Sequence, residues 1–282
     1  MPVGVVTDST AYLPSGWAAK YGIGVVPVQV VVAGQAYDET EDQQAALVVE
    51  ALKQWHPVTT SRPSPERFFE SFRAAQEAGA TAIVVATLSA AMSATYESAL
   101  LAAKECTIPV HVIDSRSIAM GLGFAVISGA EAARLGASES DVTSIIERRA
   151  EASSVLFYVD TLEYLRRGGR VSSTRAAVGQ ALQVKPLLKL VDGQVQQVDK
   201  VRTSSKALAR LAELAVEAAG DLAVDIAVQH LAAAERAQQL VDILHERLPA
   251  AEIVQCPVGG VVGAHVGPGM VAVVVAPEVP WL

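Results

Sequence analysis

Alternation of short apolar strands with helix patterns is the feature that most limits the fold of this chain. Segment 81–87 is almost continuously apolar, which is typical of a strand buried on both faces of a parallel sheet. Helix patterns separate it from shorter apolar segments at 3–6 and 110–113. Strands that alternate with helices form parallel α/β sheets. We therefore predict an N-terminal parallel-sheet α/β domain over residues 1–152.

The second half of the chain has a different pattern. Asp192-Gly193 stands between two strand patterns, and this dipeptide is typical of the tight turn of a β-hairpin. Helix patterns at 204–219 and 233–247 are interleaved with further strand patterns. This mixture predicts a C-terminal α+β domain with antiparallel strands over residues 153–282.

Charge and composition exclude several classes of partner. The net charge of −8 argues against a nucleic-acid surface and allows at most transient contact with an anionic membrane. Asp8 interrupts the first apolar segment, and the other apolar segments are too short to cross a bilayer. Cys106 and Cys256 form no CxxC pair and are expected to be reduced. We therefore expect a cytoplasmic protein.

Several cofactor motifs are absent from the sequence. It contains no P-loop, no complete dinucleotide fingerprint and no GxSxG nucleophile elbow. The five histidines have no spacing typical of a metal site. We therefore expect neither a cofactor nor a metal ion.

Hydroxyl side chains cluster where predicted strands end and helices begin. Thr60 and Ser61 precede the helix that starts at Ser64-Pro65, and Ser93 follows the buried strand at 81–87. Helix N-termini at the carboxyl ends of parallel strands attract anions, and hydroxyl donors there can hold a carboxylate or phosphate. The same residues can also be simple helix caps, which is our interpretation of Ser64. For Ser61 and Ser93 both interpretations stay open.

A glycine-rich run at 259–269 contains His265 and stands between two strand patterns. So few side chains would let a ligand approach the backbone closely, but an exposed turn with an incidental histidine fits the pattern equally well. Arg202 ends the second strand of the predicted hairpin and is unremarkable alone.

Taken together, these motifs resemble the DegV family of bacterial fatty-acid-binding proteins, which includes the lipid-carrying subunit of fatty acid kinase. The resemblance covers essentially the whole chain, with spaced motifs in the family's order. The matching segments are 5–10, 60–64, 87–96, 114–117, 162–170, 185–186, 201–203 and 263–269.

The resemblance implies a long-chain fatty acid bound between or within the two domains. Its carboxylate would be held by Ser61 or Thr60, by Ser93 and by the backbone at Ala94, where the family usually has glycine. Arg202 and His265 match family positions near the carboxylate, where they would assist phosphoryl transfer. The resemblance also implies that the lipid-carrying subunit does not itself bind ATP. It presents the acid to a separate ATP-binding kinase subunit, so the resemblance implies a lipid-binding subunit and not a free-standing enzyme.

Two features bear on this expectation. The small-residue helix pattern at 121–133 leaves room for an acyl chain beside it. Ala94 cannot take a positive φ cheaply, so the backbone there would differ from a family member whose glycine does.

Two other functions remain open at this point. One is a stand-alone hydrolase that uses Ser93 and His265. The other is a phosphotransferase subunit like the dihydroxyacetone kinases, which bind substrate through a histidine.

Overall fold

The computed structural model describes residues 2–40, 43–171 and 184–280. Contacts divide the chain into two compact units. The first unit comprises Met1–Gln29, Ser61–Ser153 and Glu278–Leu282, and the second comprises Val30–Thr60 and Ser154–Pro277. Segment Val30–Thr60 therefore groups with the second unit, although it lies inside the first domain as divided at 152/153. That division stays a prediction.

The strands, numbered along the chain, are β1 (Val3–Asp8), β2 (Ile23–Val26), β3 (Gln29–Val32), β4 (Gln35–Asp38), β5 (Val58–Ser61), β6 (Ala82–Thr87), β7 (Val110–Asp114), β8 (Ser154–Tyr158), β9 (Lys185–Val191), β10 (Gln194–Val201), β11 (Val224–His230), β12 (Glu252–Pro257) and β13 (Val271–Pro277).

The helices are α1 (Trp17–Tyr21), α2 (Gln43–Lys53), α3 (Pro65–Glu77), α4 (Thr95–Ala103), α5 (Met120–Arg134), α6 (Glu139–Ala152), α7 (Glu163–Arg167), α8 (Ser204–Ala219), α9 (Ala234–Arg247) and α10 (Gly260–Val266). A short 3-10 helix, Ser9–Ala11, follows β1. Every helix among the described residues is too short or too polar to reach across a lipid bilayer.

The first unit is built on a parallel sheet in the order β2-β1-β6-β7, as the alternating pattern predicts. β6 is buried at every position, which explains its nearly continuous apolar sequence. Val6 and Val85 pack against α3 and α4, whereas α5 and α6 also contact the sheet. The buried side chains on successive residues of β6 show that helices cover both faces.

The glycines of α5 bring helices close together. A Cβ at Gly129 would overlap the Ile146 side chain of α6, and a Cβ at Gly123 would lie 2.9 Å from the carbonyl oxygen of Ala11. The expectation that segment 121–133 leaves room for an acyl chain is therefore wrong at these two positions. Neighbouring residues already fill the space that the missing side chains leave.

The second unit contains a six-stranded sheet in the order β10-β9-β8-β13-β11-β12. Its neighbouring strands are antiparallel, except that β11 and β12 run parallel. Asp192 and Gly193 both have positive φ, 50° and 74°, as a type I′ hairpin turn requires. The prediction of a parallel α/β domain followed by an α+β domain with antiparallel strands is confirmed.

A smaller sheet has the order β4-β3-β5. Pro27 stands between β2 and β3, and a proline cannot donate a backbone hydrogen bond to a sheet. The valine-rich segment therefore breaks there into two strands that belong to different sheets. β5 carries Thr60 and Ser61, two of the predicted site residues.

Candidate functional site

Two aspartates organise the loops at the carboxyl ends of the first unit's parallel strands. Asp8 is fully buried and accepts hydrogen bonds from the backbone N–H groups of Thr10 (3.0 Å) and Leu88 (2.7 Å). Burial raises the pKa of this carboxyl, and the hydrogen bonds partly oppose the rise. Asp114 accepts from the N–H groups of Ala90 and Arg116, both at 3.0 Å. These bonds fix the loop that leads to Ser93.

Ser93 lies in this loop, one residue before the N-cap of α4. Its Oγ is 2.8 Å from Oγ1 of the buried Thr95, and its backbone N–H donates to the Ser89 carbonyl at 3.2 Å. The N-cap residue is Ala94, so the Ser93 hydroxyl does not cap the helix.

Ala94 adopts φ −78°, which alanine takes without strain. The substitution of alanine for the family's usual glycine therefore costs nothing in the backbone conformation seen here. The Ala94 carbonyl accepts a hydrogen bond from Nη1 of Arg62 at 3.5 Å. That contact sets the start of α3 beside the Ser93 loop within the first unit.

Ser61 is exposed, and among the described residues its Oγ donates a single long hydrogen bond of 3.4 Å, to the carbonyl of its neighbour Arg62. The Ser61 hydroxyl is therefore available for another partner.

Ser64 occupies the N-cap position of α3 with Pro65 at N1, as predicted, but its side chain makes no capping bond to the backbone.

Thr60 and His265 meet in the second unit. Oγ1 of Thr60 lies 3.0 Å from Nε2 of His265, although the two residues are 205 positions apart. His265 belongs to helix α10 and is half-buried, so of the two alternatives left open for this run the exposed turn is wrong. The lack of side chains at Gly260 and Gly263 allows close packing of this helix and does not produce an open loop.

Residues of α2 and of the segment that joins β4 to α2 fix the N-terminal end of α10. The buried carboxylate of Glu39 accepts a hydrogen bond of 2.7 Å from the Val261 N–H, which satisfies a free donor of the first helical turn. A Cβ at Gly260 would lie 3.1 Å from the Gln44 carbonyl oxygen and from the Val48 side chain of α2. The absence of a side chain lets α10 pack directly on α2.

Helix α7 packs against the other end of α10 through two more glycines. A Cβ at Gly168, the C-cap of α7, would overlap Nδ1 of His265. A Cβ at Gly267, which has φ +73°, would overlap the Tyr164 ring. In the sequence, Gly168 stands out only as part of the segment 162–170 that resembles the family. A signal was present, since the Gly168-Gly169 pair and the glycine-rich run at 259–269 can approach each other more closely than segments with larger side chains.

His265 is neutral at pH 7. Burial, and secondarily the positive charge of Arg170, lowers the pKa of its imidazole to about 4. Its Nδ1 is buried and has no hydrogen-bond partner among the residues that the structure describes. Because orphaned buried N–H groups are rare, we assign the proton to Nε2, which then donates to Thr60. This leaves the Thr60 hydroxyl free to donate to a further acceptor.

Arg202 is exposed and lies between β10 and Thr203, the N-cap of α8. In the described part of the chain, no hydrogen bond links it to His265. The structure therefore pairs His265 with Thr60. Arg202 lies separately, at the end of the second strand of the hairpin.

The first unit also has an open cleft of about 680 Å³ at the amino-terminal edge of its sheet. Ala130 and Ala133 of α5 contribute to its wall, together with Lys20 and Arg134. None of the predicted site residues lines this cleft.

Comparison with known proteins assigns the chain to a family. A family model described as an uncharacterised protein of the DegV family matches residues 2–278. A DegV domain-containing protein from Streptomyces coelicolor is 48% identical, over 97% of this chain and 98% of the relative.

Two solved structures are similar over nearly their whole length. The DegV family protein from Thermus thermophilus, described by its fatty-acid binding, has a TM-score of 0.92 and 30% identity, covering 99% of this chain and 100% of that one. DegV of Bacillus subtilis, described as a fatty-acid-binding protein, has a TM-score of 0.89 and 31% identity with the same coverage. The chain belongs to the DegV family.

Proposed function

We propose that this chain binds a long-chain fatty acid and presents its carboxylate to a separate ATP-dependent kinase subunit, which forms an acyl phosphate. The observation that carries the lipid-binding part is the nearly full-length likeness to the two DegV structures described as fatty-acid-binding. The kinase part rests on the family resemblance and on the chemistry of the site residues. Use of ATP sets the proposed site of action in the cytoplasm.

The head group of the ligand would be held by hydroxyl and backbone donors. We assign this role to Ser93, to the backbone at Ala94, to Ser61 and to Thr60. A carboxylate removed from water without hydrogen bonds is costly, whereas bonds from these donors to a charged oxygen are strong. Thr60 suits the role because its hydroxyl proton is not used by His265 in the assigned tautomer.

The tail of the ligand would supply most of the affinity. Burial of each methylene group contributes about 0.8 kcal/mol, so a long acyl chain binds tightly before the head group is counted. The head group then determines orientation and exposes one carboxylate oxygen to the partner.

In the transfer step, a carboxylate oxygen would attack the γ-phosphorus of ATP held by the kinase subunit, and the bond between that phosphorus and the bridging oxygen would break. The products are the acyl phosphate and ADP. Arg202 would stabilise the negative charge on the transferred group, and His265 would orient the acceptor through Thr60. This chain then acts as a lipid-binding subunit and supplies no ATP site.

The hydrolase alternative receives no support from the site. A serine hydrolase needs a carboxylate on the second imidazole nitrogen to orient the histidine. Nδ1 of His265 lies against Gly168 and has no hydrogen-bond partner within the described ranges.

Removal of the head-group hydroxyls tests the binding assignment. Ser93→Ala is expected to weaken fatty-acid binding by about 1.5–3 kcal/mol, the contribution of a hydrogen bond to a charged group. Ser61→Ala is expected to act similarly. Displacement of a fluorescent fatty acid from the purified chain measures both, with Ser64→Ala at the exposed N-cap of α3 as the matched control. Wild-type affinity in both variants would show that these hydroxyls do not contact the ligand.

A further inference from the structure

Trp55 occupies an unusual position two residues after the end of helix α2. Its side chain is 70% exposed, and its backbone has φ +60°, in the left-handed region that favours glycine. Backbone N–H groups of Trp55 and His56 bond back to the Leu52 and Ala51 carbonyls, so the residue ends the helix. A large aromatic side chain in this conformation is costly, and burial of the ring does not offset the cost.

An arginine holds the exposed ring in place. The Arg167 guanidinium carbon lies 5.3 Å from the centre of the Trp55 ring, and Arg167 Nε donates to Glu163 Oε1 at 2.7 Å. Arg166 is exposed next to it on α7. We call Trp55, Arg166 and Arg167 the Trp55 surface. The stack and the ion pair restrain the Trp55 and Arg167 side chains before any partner binds.

The Trp55 surface belongs to the helices that support the candidate site. α2 and α7 are both packed on α10, which carries His265. Gly260 of α10 makes the contact with α2, and Gly168 at the end of α7 lies against His265 of α10. A partner bound to the Trp55 surface would therefore contact the two helices that fix the position of His265.

Charge indicates the kind of partner. The chain as a whole has a net charge of −8, but segment 163–170 carries Arg166, Arg167 and Arg170 against the single carboxylate of Glu163. A locally basic surface on an acidic protein is complementary to an acidic surface on another protein. An anionic membrane would repel most of this chain.

We propose that the Trp55 surface is the docking site for an acidic surface of the kinase subunit, an inference that rests on the proposed function. Tryptophan and arginine are the residue types that most often dominate binding energy in protein interfaces. A side-chain stack that is already ordered loses little conformational entropy on binding.

The test measures acyl-phosphate formation by the kinase subunit with ATP. The full chain, loaded with oleate, is the substrate whose concentration is varied. Trp55→Asn and Arg167→Ala are expected to raise KM for the chain by about tenfold or more, as expected for interface hot spots, with kcat and oleate affinity unchanged. Asparagine tolerates the left-handed conformation, so the first variant keeps the helix end intact. Leu222→Ala, at another exposed apolar position of the second unit, is the control and should leave KM unchanged.

Salt and vesicles separate the alternatives. KM of the wild-type chain should rise with ionic strength, and this dependence should weaken in Arg167→Ala. Unchanged KM in both variants overturns the docking proposal, as does loss of oleate affinity, which would make the surface structural. Trp55-dependent binding to phosphatidylglycerol vesicles with unchanged KM would assign the surface to lipid instead. Absence of acyl phosphate with the wild-type chain overturns the proposed function itself and the docking proposal with it.

Discussion

Gly168→Ala is expected to lower acyl-phosphate formation by about 10²-fold or more, comparable to removal of an electrostatic group from an active site. Gly168 has φ −73°, so alanine causes no backbone strain there. The added Cβ would overlap Nδ1 of His265, and the imidazole must move away from Thr60. The ring would then gain access to water, so its pKa should rise from about 4 toward the usual value.

Gly169→Ala is the matched control for this variant. Gly169 has φ +67°, and a Cβ there would meet no described atom within 4 Å. Alanine at that position strains the backbone by about 1 kcal/mol but does not touch His265. Rates of acyl-phosphate formation and imidazole titration by NMR compare the two variants. If both variants lose activity equally, the close contact between Gly168 and His265 has no special role.

His265→Ala and Arg202→Ala are expected to retain most fatty-acid affinity and to lose acyl-phosphate formation by about 10²–10³-fold each. Neither side chain is needed to bury an alkyl tail, whereas a carboxylate that attacks a phosphoryl group needs an oriented acceptor and a nearby cation. Fatty-acid occupancy and turnover with the kinase subunit and ATP are measured on the same preparations.

His245→Ala and Arg247→Ala, both at exposed positions on α9, control for loss of an imidazole and of a positive charge elsewhere. Normal phosphorylation in the His265 and Arg202 variants would remove the proposed role. Loss of lipid occupancy together with turnover would assign the pair to binding.

Much of the fold follows from local pattern. The nearly continuous apolar sequence of β6 and the Asp192-Gly193 turn predict a buried parallel strand and a hairpin, and both are present. These features are determined by residues close together in sequence, so the period of the hydrophobic pattern and the turn chemistry are sufficient.

Features that depend on distant contacts could not be predicted in this way. Helix α10 contains Gly260 and Gly263, and glycine lowers helix propensity. The N-terminal end of this helix depends on Glu39, which is 222 positions from its partner Val261. The assignment of Val30–Thr60 to the second unit likewise depends on tertiary contacts, because its valines fit either sheet. Tertiary packing overrides local propensity in both places.

The candidate site shows the same division. The hydroxyls and His265 stand out in the sequence, but only the structure pairs His265 with Thr60 and leaves Ser61 exposed. The small residues of α5 have two physical explanations, space for a ligand or close helix packing. The Gly129–Ile146 contact establishes packing at that position.

Mass spectrometry of the lipid released when the purified chain is denatured tests directly whether the chain binds a fatty acid. We expect about one long-chain fatty acid per chain without added lipid, since a buried tail gains roughly 0.8 kcal/mol for each methylene. Release of a small polar ligand in its place would favour the phosphotransferase alternative. Absence of an acyl chain, together with no uptake of added oleate or palmitate, would contradict fatty-acid binding by this chain.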